Sequence, residues 1–193
     1  MIQALSTHGV SATDARDIRL KRVRVLSRVM AAACLATAAL LSAAMAVYWA
    51  ITPTPALFSH AGLPNFPTHD IDIATRVVAF IIAMIPLGAL ACGLLCARQC
   101  FSAFARGEVF APAPIRQLRL LAIAVAVSAL LKPFTGAALS VLLSMRGTAG
   151  MKTLAFNIGS DTLIALIFAG TVAVIAWVMS EALAIADENQ QFV

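Results

Sequence analysis

Charge is what this sequence lacks most. Only 12% of its 193 residues are Asp, Glu, Lys or Arg, while 61% are hydrophobic and the mean hydropathy is +0.92. A soluble domain carries about 25% charged residues, and half that amount leaves large apolar patches facing water. A soluble globular fold is therefore excluded, and lipid is the expected solvent. Aromatic residues are also sparse, at 7% with one tyrosine. No long polar block is present to fold as a separate enzyme domain. Catalytic signatures are missing as well: there is no G-x-S-x-G, Walker loop, H-E-x-x-H or G-x-G-x-x-G. The reading that follows is a non-enzymatic protein without a cofactor or metal.

What the chain does contain is four long apolar runs, at 29–51, 77–97, 120–145 and 162–180. Each approaches or exceeds the roughly 20 residues that cross a bilayer as helix. They are too continuous for the ten-residue alternation of a membrane β-barrel. An all-α polytopic membrane protein with four transmembrane helices is expected. Residues 1–28 form a basic N-terminal segment, 29–180 the transmembrane domain, and 181–193 an acidic tail. Half the prolines (Pro53, Pro55, Pro64, Pro67) fall in the first connection, where Asp70 and Asp72 offer N-caps for the second helix.

Lys and Arg outside the runs are distributed unevenly. Segment 1–28 holds six and connection 98–119 four, against Arg76 alone in the first connection and Arg146 and Lys152 in the third. The positive-inside rule then places both termini in the cytoplasm. The uninterrupted first run behind a charged preamble reads as an uncleaved anchor rather than a signal peptide ending at Ala44-Met45-Ala46. With net charge +5 and a pI near 9.5, the basic segments suit anionic lipid headgroups of the bilayer, not direct nucleic-acid binding.

Several residues stand out against this background. Lys132 lies inside the third run with no acidic residue at a matching depth, and an intramembrane ionisable group is a functional candidate. Its bland alternative is a lysine bent toward an interface or crevice. Pro86 and Pro133 interrupt their helices, freeing the carbonyls of Ile82 and Ala129, with Ser128 and Thr135 near enough to help. Cys92, Cys96 and Cys100 form one helical stripe, with Cys34 at a comparable depth. Metal ligation there competes with simple packing of small residues, and packing is favoured. His60, His69, Asp70 and Asp72 are metal-capable, but their proline-rich setting preorganises nothing. Ala32, Ala36, Ala39 and Ala43, and the pairs Gly88/Cys92, Gly136/Ser140 and Ala169/Ala173, are small-residue stripes for close packing within one copy or in a homo-oligomer.

The second connection has a pattern of its own. Arg98 to Arg106 can extend the second helix beyond the bilayer, placing Phe101 and Phe104 on one face. Gly107 suits a left-handed C-cap, Phe110 can fold back on the two rings, and Pro112 and Pro114 delay the third helix until about Ile115. The segment Phe101-Ser-Ala-Phe-Ala-Arg-Gly107-Glu-Val-Phe110, then Ile115-Arg-Gln-Leu-Arg119, and the ending from Glu181 through Glu188, Asn189 and Phe192 resemble one bacterial membrane family. That family is known as domain of unknown function two-nine-seven-five, and the resemblance covers about 29–193. It implies a multi-pass protein of the bacterial inner (plasma) membrane with no assigned catalysis. It also implies neighbourhood with a small helix-turn-helix regulator, and so a cytoplasmic protein partner. The candidate contact surface is Phe101, Phe104, Gly107, Phe110, Glu188, Asn189 and Phe192; for the corner residues a plain structured loop is the favoured alternative, because capped helix ends are ordinary. A small transporter or channel subunit, with Lys132 and the proline kinks along its path, is the alternative.

Overall fold

The computed structural model describes residues 3–53, 72–108, 111–144 and 159–191, with side chains described except at 3–20, 143–144 and 189–191. His60, His69, Asp70, Phe110 and Phe192 lie outside the described residues. The described regular structure is all α-helix: α1 (Gln3–Ile51), α2 (Ile73–Arg106), α3 (Pro112–Ser144) and α4 (Ser160–Gln191). Each is long and apolar enough to cross a membrane, with candidate spans at Lys21–Ile51, Ile73–Arg106, Pro112–Leu142 and Ser160–Glu188. The basic N-terminal segment continues α1 rather than preceding it.

Among the described residues the extensive interfaces join α1 to α2, α2 to α3 and α3 to α4. The helices form an open row in chain order, not a closed bundle. Large residues such as Leu40, Ile81, Ile167 and Trp177 point outward, as expected where lipid rather than a protein interior takes up apolar side chains. The interfaces are built from small ones. On α2 the buried positions are Thr75, Ala79, Ala83, Gly93, Ala97, Cys100 and Ala103, which recur at helical spacing along one side. At Gly93 an added Cβ would lie 2.9 Å from the Cβ of Ala124. Glycine there sets how closely α2 and α3 approach.

Four expectations need correction, the first two only as they concern packing within one copy. On α1 the packed stripe is Ser27, Ala31, Cys34, Ala38 and Trp49, while Ala32, Ala36, Ala39 and Ala43 are exposed. In an alanine-rich run several stripes are equally small, and the face is set by Trp49, which is buried with Ala79 and Ala83. Second, Gly88 and Gly136 have nothing within 4 Å of an added Cβ, so the close approach falls at Gly93 instead. Third, α3 starts at Pro112 and includes Pro114; prolines suit the first turn, whose N–H groups have no helical partner. Fourth, Asp72 occupies the N-cap of α2 but makes no side-chain capping bond.

Both interior prolines lie within continuous helices. The Ser128 hydroxyl donates to the carbonyl of Pro86 itself, at 2.7 Å across the α2–α3 interface, rather than to the carbonyl of Ile82. Thr135 donates to Lys132 O at 2.9 Å within its own helix.

Candidate functional site

Antiparallel order brings the start of α3 and the ends of α2 and α4 to the same end of the row as the N-terminal part of α1. Arginine is concentrated there, at Arg28, Arg98, Arg106, Arg116 and Arg119. The α2–α3 corner is tightly specified. Gly107 adopts φ 93° and ψ 4°, the left-handed conformation that costs an L side chain energy and glycine little. Its N–H donates to Phe104 O at 3.0 Å, and that of Glu108 donates to Ala103 O at 3.1 Å. This pair of bonds is the Schellman arrangement, which satisfies carbonyls left over at a helix end. One turn back, the rings of Phe101 and Phe104 meet edge-to-face with centroids 6.3 Å apart and planes at 78°.

An ion pair closes the corner, Arg106 Nη2 to Glu108 Oε2 at 3.1 Å, with both side chains about half or more exposed. The hydrogen bond from Arg106, and then its charge, hold the Glu108 carboxyl below the usual carboxylate range. Phe101, Phe104 and Gly107 are thus brought together. Glu188 is exposed on α4 at the same end. Asn189 lies in α4 with its side chain outside the described set.

Lys132 requires the largest correction. Its Nζ lies 2.6 Å from Asp161 Oδ2, so an acid does stand at its depth. Asp161 is the second residue of α4, while α3 continues twelve residues past Lys132 to Ser144. Depth counted along each apolar run presumes that the spans begin level, and α4 begins recessed. The lysine points toward α4, whereas Pro86 and Ser128 meet on the α2 side of α3. The residues expected to share one path therefore fall at different interfaces.

The cysteines do not converge: Cys34 and Cys100 are buried, Cys96 is half-buried and Cys92 is exposed. Among the described residues no three His, Cys, Asp or Glu side chains come together as a metal site. Sequence reasoning missed Arg76, counted only as a topology charge. Its Nε donates to Trp49 O at 2.7 Å, and its Nη2 donates to Thr52 O. A cation on the carbonyls at the end of α1 is favourable both as a cap and against the helix dipole. The signal was present in principle, as an arginine in the first turn of the second helix. Its partner lies 27 residues away in sequence, which no local pattern indicates.

The family model described as "Protein of unknown function (DUF2975)" matches residues 58–193. The chain belongs to this family. The match starts later than expected from about residue 29, so the DUF2975 region comprises α2, α3 and α4, with the corner and the acidic tail, and α1 precedes it. No curated protein and no solved structure is significantly similar to the chain. Within DUF2975, this member is a multi-pass membrane protein by the length and composition of its four helices.

Proposed function

We propose that this DUF2975 protein is a non-enzymatic accessory or regulatory component of the bacterial inner membrane, with both termini in the cytoplasm. Its contact surface for a cytoplasmic protein is the α2–α3 corner together with the exposed end of α4. The observation that carries this reading is the corner itself. A Schellman cap and an ion pair define the end of α2 directly after Phe101 and Phe104, whose rings meet edge-to-face. Preorganised aromatic side chains lower the ordering cost of binding. The tail adds exposed Asp187 and Glu188 on a helix continuing to Gln191. That negative surface suits a basic partner, and a small helix-turn-helix regulator is the class of partner to test first.

The test is photocrosslinking in living cells from positions 104 and 188. The expected result is the same cytoplasmic protein captured from both positions, and lost when Phe101 and Phe104 are both replaced by alanine. Adducts only to lipid or to the chain itself would overturn the proposal.

A further inference from the structure

We propose that the cleft between α3 and α4 is a binding site for an acidic phospholipid. Its phosphate is held by Arg116 and Arg119, and an acyl chain lies along the apolar wall below them. The cleft measures about 860 Å³. Its charged end is formed by Arg116, Arg119, Trp177 and Ser180, and its floor by small residues including Ala122, Ala169 and Gly170. Both arginines are exposed, and neither forms an ion pair among the described residues. Glu181, one residue beyond Ser180, pairs with neither.

The dimensions suit the occupant. From Arg116 down to Ala126, the deepest α3 residue lining the cleft, is about 15 Å of helix. That is half of a hydrocarbon core about 30 Å thick, the depth of one leaflet. Trp177, 72% exposed, sits at the charged end, as tryptophan does at membrane–water interfaces. Two guanidiniums at headgroup level, above a groove open to lipid, match a phosphate joined to a hydrocarbon tail better than a free anion, which leaves the apolar wall unused. Basic pockets between transmembrane helices recognise anionic headgroups in this way.

The test uses the full chain in mixed phosphatidylglycerol and phosphatidylcholine bilayers, with Trp49→Phe leaving Trp177 as the single tryptophan. One lipid class at a time carries bromine, which quenches nearby indole fluorescence. The expected result is quenching by brominated phosphatidylglycerol that exceeds its bulk share about fivefold, the factor one basic residue near a charged surface supplies. Arg116→Gln/Arg119→Gln removes the preference, Arg116→Lys/Arg119→Lys retains most of it, and Arg28→Gln/Arg98→Gln leaves it intact. Gly170→Phe projects a ring into the cleft from a position where an added Cβ meets nothing within 4 Å, and it removes the preference with both charges in place. Four outcomes would overturn the proposal: equal quenching by both lipids, a preference surviving Arg116→Gln/Arg119→Gln or Gly170→Phe, loss of preference in Arg28→Gln/Arg98→Gln, or displacement by millimolar inorganic phosphate at constant ionic strength.

Discussion

Gly107 carries the conformational burden of the corner, and its replacement has a calculable cost. Alanine at φ 93° places a Cβ against the following carbonyl, at about 1–2 kcal/mol. Gly107→Ala is expected to lower the thermal midpoint in detergent, and Gly107→Asn to lower it less, because asparagine tolerates the left-handed region. Equal midpoints for wild type and Gly107→Ala would remove the cap from the argument. The neighbouring Glu108 carboxyl is held low by Arg106, so its contribution is present above the ordinary glutamate range and is lost as pH falls through the lowered folded value. Carboxyl NMR titration should find Glu108 below its free range in the native protein and near that range in Arg106→Gln. Lys132 and Asp161 each lose their counter-ion when the other is replaced. An unpaired charge in an apolar span costs up to about 3 kcal/mol on insertion scales, whereas an exposed pair itself contributes about 1 kcal/mol or less. Lys132→Met should therefore reduce membrane yield and thermal midpoint, and adding Asp161→Asn should restore most of both. A double variant no better than the single would show that the two charges are uncoupled.

Helix interfaces here depend on a few small side chains, and the sequence pattern identified the type of device better than its position. Small-xxx-small pairs occur on every helix, and hydrophobicity does not distinguish among them because lipid takes up any apolar face. The selecting residues act over distance: Trp49 seats against Ala79 and Ala83, Ser128 bonds Pro86 O, and Gly93 admits Ala124. None of these pairings has a local signature. The contrast between two glycines on α2 tests this. Gly93→Leu must displace α3, because even an added Cβ would lie 2.9 Å from Ala124 Cβ, and is expected to cost about 1–3 kcal/mol by overpacking. Gly88→Ala meets open space and should be neutral or stabilising by up to about 1 kcal/mol, the helix preference of alanine over glycine. Chemical or thermal unfolding of the two variants in one detergent measures the difference, and similar midpoints would place the α2–α3 approach elsewhere. The helix-end signals, being local, were easier to read. Gly107 and the phenylalanine spacing were visible because a left-handed cap and a three-residue stagger need only neighbouring residues.

Across the whole molecule, four helices and their order were legible from the apolar runs, since span length is set by bilayer thickness rather than by tertiary detail. Their extension was not. Polar residues end a hydrophobic run without ending a helix, so α1 continues back to Gln3 and α4 on to Gln191. The stagger of α4 against α3 was equally hidden, and with it the partner of Lys132. An open row in chain order makes one further demand: helices that alternate in direction bring the N-terminal part of α1, the α2–α3 corner and the end of α4 to one side. The arginines follow the same division, with Arg28, Arg98, Arg106, Arg116 and Arg119 at that end and Arg76 at the opposite end of α2. Charge asymmetry of this kind orients the whole assembly. A reporter active only in the cytoplasm, fused after Val193 or inserted after Gly107, is therefore expected to work, and one active only outside the cytoplasm is expected to work when inserted in 54–71. Replacing Arg98, Arg116 and Arg119 together with neutral residues should weaken this preference and give a mixed population. Exclusive external activity from the Val193 fusion would reverse the orientation, taking the proposed cytoplasmic contact surface with it.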